Sequence, residues 1–167
     1  SVQIGNYVAV QDTFIKGDKI YDMNHYVLDY NKELASNYFT QSKEVIRFYE
    51  KYFGDYQWYE DGYKLIEVPY LGMEHQSAVT YGNGFSIYNG VRSKSWPMYG
   101  VMDPLIIHET GHEWFGNSVT ASDPTHIWIH EGLQVYSEAI YFENKFDSYE
   151  VGVHYLNSIK NRIINEI

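Results

Sequence analysis

Two histidines and a glutamate in the segment PLIIHETGHEWFG have the spacing of a metal site with a base beside it. His108 and His112 stand four residues apart, so on a helix both imidazoles project from one face, one turn apart. Two nitrogen ligands at that spacing can share one tetrahedral Zn²⁺. Glu109 lies about 100° around the helix from His108, where its carboxylate can reach a water on the metal without ligating the metal. The segment therefore predicts His108 and His112 as zinc ligands and Glu109 as the general base.

A third ligand is predicted on a second helix. Eighteen residues separate His112 from Glu131, which lies in IWIHEGLQVYSE. Taken alone, the first motif also fits a helix with two packed histidines and a solvated glutamate, and Glu131 alone fits an exposed helical residue. The combination favours a metal site, because two His and one Glu leave a fourth position open for water, as catalytic zinc requires.

Composition is that of a folded domain with its own core. The 167 residues are 44% apolar and 20% charged, which excludes a disordered chain. The eighteen tyrosines fit a core more readily than a binding cleft. A net charge of −10 argues against nucleic acid as a partner. There is no run of eighteen apolar residues, and the first ten residues lack the charged start and apolar stretch of a signal peptide, which the sequence would also lack if it began after one. The absence of cysteine leaves the compartment open.

Strands are predicted mainly in the first half of the chain, before the helices that carry the metal ligands. We expect strands at Val8 to Val10, at about Ile20 to Leu28 after a Gly17-Asp18 turn, at Tyr63 to Pro69, and in a hairpin from Ser77 to Tyr88 that turns at residues 82–84. This order of elements predicts an α+β fold.

Helices are predicted from apolar periodicity and capping residues. The expected helices are 32–53, ended by Gly54; Asp103-Pro104 to about Gly116; near Ile127 to Asn144; and one that starts at Asp147, with Glu150 completing a capping-box pattern. The last helix reaches Ile167 with no stop signal, and the first strand begins without a lead-in, so both ends look cut.

The segment HETGHEWFGNSVT, followed by WIHEGLQVYSE, resembles the M1 family of zinc aminopeptidases, which are gluzincins. The family pattern is H-E-x-x-H, eighteen residues and then Glu, usually within W-x-N-E-G-F. Upstream, PYLGMEHQSAVTYGN resembles the family's G-x-M-E-N motif. The resemblance is specific in these three blocks and extends weakly over nearly the whole chain.

This resemblance implies a thermolysin-like zincin catalytic domain that holds one Zn²⁺ ion and hydrolyses N-terminal residues of peptides through a zinc-activated water. Glu74 would hold the substrate's free α-amine, and the Gly72-Met73 backbone would run along the peptide. By itself, Glu74 fits a solvated residue at the end of a strand. Glu138 matches a family position seven residues after Glu131, on the same helix face, and is predicted to contact a zinc-bound histidine.

Two departures from the family pattern are visible. His75 follows the motif Glu74 where the family usually has Asn, and His130 precedes Glu131 where Asn is usual. Neither removes a ligand. Both are either tolerated variants or residues that add pH dependence near neutrality.

The resemblance also predicts a partial catalytic domain. Residues 1–30 would be strands that join a missing N-terminal β domain, 31–99 a helix and sheet with a substrate-binding edge, and 100–167 the zinc-binding helices. A transition-state-stabilising Tyr would lie beyond Ile167. The expected partner is a peptide with a free N-terminus, with no nucleic acid and no membrane segment. Two alternatives stay open: a zinc-binding module without activity, and an endopeptidase or epoxide hydrolase on the same scaffold.

Overall fold

The computed structural model describes residues 2–86 and 102–160. Its strands are β1 (Tyr7–Val10), β2 (Thr13–Lys16), β3 (Lys19–Asp22), β4 (His25–Leu28), β5 (Leu65–Glu67), β6 (Gly72–Met73) and β7 (Val79–Tyr81). Its α-helices are α1 (Lys32–Tyr38), α2 (Gln41–Phe53), α3 (Pro104–Gly111), α4 (Glu131–Phe146) and α5 (Tyr149–Ile159), and short 3₁₀ helices cover Asp29–Asn31, Tyr59–Asp61 and Pro124–Ile129. The predicted α+β class is confirmed.

Five of the strands form one mixed sheet in the order β1-β4-β5-β7-β6. The inner strands β4, β5 and β7 run parallel, whereas β1 and β6 pair antiparallel at the two edges. β2 and β3 form a separate hairpin, with Gly17 at φ 58° in its turn. Among the described residues, β6, which consists of Gly72 and Met73, is therefore an edge strand of this sheet.

The predicted strand from Ile20 to Leu28 is two strands in two different sheets. The chain bends at Met23, whose N–H donates to the Asp12 carbonyl at 2.9 Å and whose side chain is buried. Residues before the bend pair with β2, and residues after it pair with β1 and β5. A bend without Gly or Pro leaves no mark in the alternation of apolar residues.

The predicted hairpin at Ser77 to Tyr88 is only partly found. β7 is followed by a turn, but its antiparallel partner is the upstream strand β6, while Phe85 and Ser86 belong to no strand and residues 87–88 lie outside the described residues. Gly82 serves a close approach of two backbones, because a Cβ there would lie 1.5 Å from the Tyr70 carbonyl oxygen.

The single helix predicted for 32–53 is broken into α1 and α2 at Phe39-Thr40. The break directs the fully buried Phe39 ring into the core, where it contacts His25, Tyr81 and Phe85 at centroid distances of 5.1 to 5.3 Å. The predicted stop at Gly54 is confirmed as the C-cap of α2.

The predicted start of α3 is confirmed. The buried carboxylate of Asp103 accepts the Leu105 N–H at 2.8 Å, and Pro104 occupies the first turn. The same carboxylate accepts hydrogen bonds from the hydroxyls of Tyr38 and Tyr81. Three elements are thus tied to one N-cap, which fixes where the helix begins relative to the sheet.

The helix ends at Gly111, five residues before the predicted Gly116. Beyond it the backbone makes wider turns: the N–H groups of Asn117, Ser118 and Val119 donate to carbonyls five residues earlier. Gly116 has a φ of 140°, which favours glycine. The prediction identified Gly116 as a position that requires glycine, but the helix gives way to the wider turns before this residue.

The remaining helices are shifted from their predicted bounds. α4 begins at Glu131 rather than near Ile127, because residues Pro124–Ile129 form a 3₁₀ turn capped by Asp123. Asp147 closes α4 in a left-handed conformation with φ 48°, so it does not begin α5. The predicted Asp147 capping box is wrong, and Ser148 is the residue that precedes α5.

Six of the sixteen described tyrosines are buried and six are exposed, so the expected core role holds for only part of them. The side chains of Tyr49, Tyr63, Tyr81 and Tyr141 are almost entirely buried. Each hydroxyl is satisfied inside the protein, by Ser137, Thr110, Asp103 and Glu44 respectively. These hydrogen bonds connect α2, α3, α4 and the sheet. Each of these tyrosines therefore buries its ring and also links two elements of the fold.

His25 gives a test of this packing. Its Nδ1 accepts the Leu65 N–H at 3.0 Å, and burial lowers the pKa of the imidazole from 6.5 to about 4. Between these values the unfolded chain binds a proton that the folded chain does not, so stability falls as pH decreases. We expect the free energy of unfolding to fall by about 3 kcal/mol more between pH 6.5 and 4 in wild type than in His25→Gln. Denaturant titrations at the two pH values measure this difference, and equal losses would contradict it.

Candidate metal centre

Three potential ligand atoms meet where α3 ends and α4 begins. His108 Nε2 lies 3.2 Å from His112 Nε2, and Glu131 Oε2 lies 3.5 Å from the first and 3.7 Å from the second. Ligand atoms at about 2.0 to 2.1 Å from a tetrahedral Zn²⁺ are about 3.3 Å from one another. The triangle has the size of one face of such a tetrahedron, so the residues present fit the ion.

The other ring nitrogens of the two histidines are held by acceptors. His108 Nδ1 lies 2.6 Å from Glu138 Oε1, and His112 Nδ1 lies 2.8 Å from the Phe115 carbonyl oxygen. A carboxylate and a carbonyl accept hydrogen bonds, so each Nδ1 carries the proton and each Nε2 presents a lone pair. When both rings are neutral, two lone pairs 3.2 Å apart repel each other, and a proton or a metal ion between them removes the repulsion.

The surroundings act differently on the two imidazoles. Burial lowers the pKa of His108, but the hydrogen bond and charge of Glu138, with the charges of Glu109 and Glu131, raise it overall to about 9. Burial and the neighbouring charge of His108 lower the pKa of His112. A proton and a metal ion therefore compete for His108 Nε2 in a strongly negative environment.

Glu109 is buried against the edge strand. A Cβ on Gly72 would lie 2.6 Å from its Oε1, so the carboxylate packs directly against the backbone of β6 and a larger residue there would require it to shift. Burial raises the pKa of Glu109 to about 7; the charge of His108 opposes the shift, and the charge of Glu74 adds to it. A bound cation would favour the charged form and lower that pKa again. Without a bound cation, the group can therefore exchange a proton near neutral pH.

Glu74 follows β6 and joins the other side of the cluster. Single side-chain ligand atoms of Glu74, Glu109 and His112 all lie within 4.8 Å of one another. The structure thus brings the residue predicted to bind an amine next to the residue predicted to act as base. Gly72 and Met73 precede it on the edge strand, where an extended peptide could pair with the backbone.

The histidines that depart from the family pattern lie in loops beside the cluster. His130 Nε2 accepts the Ala121 N–H at 3.0 Å, which holds the loop before α4. The His75 N–H donates to the Met73 carbonyl in the turn after β6. There is a further departure: when Met73 and Glu74 are matched to the M and E of G-x-M-E-N, Leu71 stands where the motif has its glycine. Its side chain is exposed, so the backbone accommodates it there.

A residue that the sequence did not indicate completes the support of His108. The hydroxyl of Tyr155, on α5, donates to Glu138 Oε2, while Glu138 Oε1 holds His108. Both Glu138 and Tyr155 are buried. Only the packing of α5 on α4 brings Tyr155 to this place, and no spacing in the sequence marks it.

A cavity of about 660 Å³ opens beside the cluster. His108, Glu131 and Glu138 form its polar side, and Val135, Leu156 and Ile159 contribute apolar surface. This volume is within the range of small-molecule sites.

In the described parts of the chain, no helix is long and apolar enough to cross a membrane.

The model of the Peptidase family M1 domain matches residues 38–166, and the chain belongs to this family. Human endoplasmic reticulum aminopeptidase 2 is 33% identical over 132 residues, which are 74% of this chain and 14% of that protein.

Solved structures share the fold. A crystal structure of an M1 zinc metallopeptidase from Deinococcus radiodurans has a TM-score of 0.65 at 17% identity, covering 95% of this chain and 33% of that one. A mutant from the same organism, bound to a Tyr-Ser-Ala substrate, has a TM-score of 0.57 at 17% identity, covering 84% and 29%. The chain thus spans about a seventh of the human relative and about a third of these structures.

The contact between Tyr155 and Glu138 predicts an effect on metal affinity. Loss of the hydroxyl in Tyr155→Phe leaves Glu138 freer to move, and partners of a ligating histidine typically change metal affinity 10- to 100-fold. We expect the Kd for zinc, measured by chelator competition, to rise about 10-fold. The matched control is Tyr149→Phe, an exposed tyrosine at the start of the same helix. Equal zinc affinities in the two variants would contradict the role of Tyr155.

Proposed function

We propose that this chain is the core of a zinc-dependent aminopeptidase that hydrolyses N-terminal residues of peptides. The observation that carries the proposal is the triangle of His108 Nε2, His112 Nε2 and Glu131 Oε2, 3.2 to 3.7 Å on a side. Glu109 and Glu74 lie against the same His112. Membership of the M1 family supports it.

His108, His112 and Glu131 would hold one zinc ion. When bound, the ion supplies a Lewis acid that lowers the pKa of water and polarises a carbonyl. Glu109 takes the proton of the attacking water and later gives it to the leaving amine. The buried setting of Glu109, which raises its pKa, suits a group that must hold the proton between these two steps.

Glu74 would pair with the ammonium group of the substrate. Its carboxylate lies within 4.8 Å of Glu109 and His112 ligand atoms, and one extended residue spans about 3.4 Å. An amine held by Glu74 therefore leaves room for about one residue before the scissile bond reaches the base. This distance favours removal of single N-terminal residues and selects chains with a free amine.

Replacement of the base tests the chemical step. Glu109→Gln keeps the size of the side chain but cannot accept the proton, so kcat should fall by about 10² to 10⁴. Zinc content, measured by elemental analysis, should stay at one ion per chain because Glu109 is not a ligand. A variant that kept wild-type kcat would exclude Glu109 as the base.

Replacement of Glu74 tests amine recognition. Glu74→Gln removes the negative charge, so kcat/KM for an aminoacyl-anilide with a free amine should fall by about 10², the scale of a lost charged hydrogen bond. Its N-acetylated analogue, which has no ammonium group, should be affected little. Equal losses on both substrates would contradict an amine-binding role.

The wild-type full-length protein separates the alternatives. Zinc content is measured first, and hydrolysis of free and N-acetylated aminoacyl-anilides follows. Equal cleavage of both anilides would exclude the aminopeptidase and favour an endopeptidase. Zinc without turnover of peptides or of an epoxide substrate would favour a binding module, and turnover of the epoxide alone would favour a hydrolase of that class.

A further inference from the structure

Two hydrogen bonds join the loop after β6 to the turn after α3. Residues 74–77 are here called the Glu74 loop, and residues 113–117 the post-helix turn. Asn117 Nδ2 donates to the Glu74 carbonyl at 2.9 Å. The Ser77 N–H donates to Glu113 Oε1 at 2.7 Å. The loop is therefore held near both of its ends by side chains of one short segment.

The Glu74 loop needs such support because its backbone is strained. Ser77 has a φ of 54°, in the left-handed region that a side chain disfavours. A residue in that region keeps its conformation only where its surroundings fix it. Ser77 is buried, its N–H is bound by Glu113, and its hydroxyl lies 3.2 Å from the Tyr56 hydroxyl.

The post-helix turn also orients a predicted zinc ligand. The Phe115 carbonyl lies 2.8 Å from His112 Nδ1, and the Asn117 N–H donates to the His112 carbonyl at 2.9 Å. The turn itself is fixed by Trp114, whose indole N–H donates to the Gly54 carbonyl at 2.8 Å. One rigid segment thus contacts both His112 and the loop that carries Glu74.

We propose that Glu113 and Asn117 are positioning residues that set the place of the Glu74 carboxylate relative to the metal centre, and thereby the preference for substrates with a free amine. The inference rests on the proposed function, in which Glu74 binds the ammonium group. Neither residue touches the substrate: Glu113 acts through Ser77, and Asn117 acts through the backbone of Glu74. A small displacement of a substrate-positioning group is enough to lower productive binding by a large factor.

The test uses the full-length zinc-loaded protein and the variants Asn117→Ala and Glu113→Ala. We expect the ratio of kcat/KM for free over N-acetylated aminoacyl-anilide to fall about 10-fold in each, the scale of one lost hydrogen bond. Binding is measured separately by calorimetry with L-phenylalanine and N-acetyl-L-phenylalanine as probes. The Kd for the free amino acid should rise about 10-fold, while those for the acetylated probe and for zinc stay as in wild type.

Two further variants serve as controls. Glu113→Gln keeps an oxygen that accepts the Ser77 N–H, so it should retain the wild-type ratio. Thr120→Ala removes a hydroxyl that bonds the Gly116 and Asn117 carbonyls, in the same region but without a contact to the Glu74 loop, and should also retain it.

The outcomes that overturn the proposal are distinct. Unchanged ratios and Kd values in Asn117→Ala and Glu113→Ala would exclude it, and so would equal losses for free and acetylated probes or a parallel loss of zinc affinity, which indicate a role in the fold alone. If wild type does not distinguish free from acetylated probes, the proposed function fails and this inference falls with it. Discrimination in wild type without any change in the variants removes the inference and leaves the proposed function intact.

Discussion

Two imidazole Nε2 atoms held 3.2 Å apart, close enough to share a proton or a metal ion, are the constraint on which the geometry of this site depends. Each ring is held from its far side, so that its Nε2 is directed at the position that the proton or the ion would occupy. His112 is held by the Phe115 carbonyl of the chain's own next turn, and His108 is held by Glu138 on α4. The helices must therefore approach closely. Gly111 permits this, since a Cβ there would lie 2.1 Å from both Tyr49 and Gln134 side-chain atoms.

The region around the two histidines carries an excess of negative charge. Glu74, Glu109, Glu131 and Glu138 all lie near the two histidines, and the charges of the other three are among the causes that raise the pKa of Glu109. Four carboxylates around two imidazoles make an environment that favours positive charge. A divalent metal ion and the ammonium end of a peptide would each satisfy part of it. The proposed cofactor and the proposed substrate are thus complementary to one electrostatic field.

Much of the candidate site could be predicted because its residues are local in sequence. The interval between His108 and His112 is set by helix geometry, and the structure keeps both rings on one face. The N-cap at Asp103 could also be predicted, because Asp103 and Pro104 are adjacent in the sequence. Of the residues that hold the site, Glu138 was predicted through the family resemblance. Tyr155, Glu113 and Asn117 were not predicted, because they act through tertiary contacts with partners 17 to 43 positions away. Two of the element bounds that failed, at Phe39 and Met23, lie at bends where a side chain is buried, and neither bend contains Gly or Pro.

Glu131 is the most exposed of the three predicted ligands, with 52% of its side chain accessible to solvent. It follows a 3₁₀ turn, Pro124–Ile129, that buries none of its residues, so the core contributes little to holding this stretch in place. His108 and His112, in contrast, are anchored by the sheet-facing helix before any ion arrives. The two imidazoles would therefore be preorganised for a metal ion, whereas the position of the Glu131 carboxylate would depend on the segment before α4. An ion held by all three residues would connect α3 to α4.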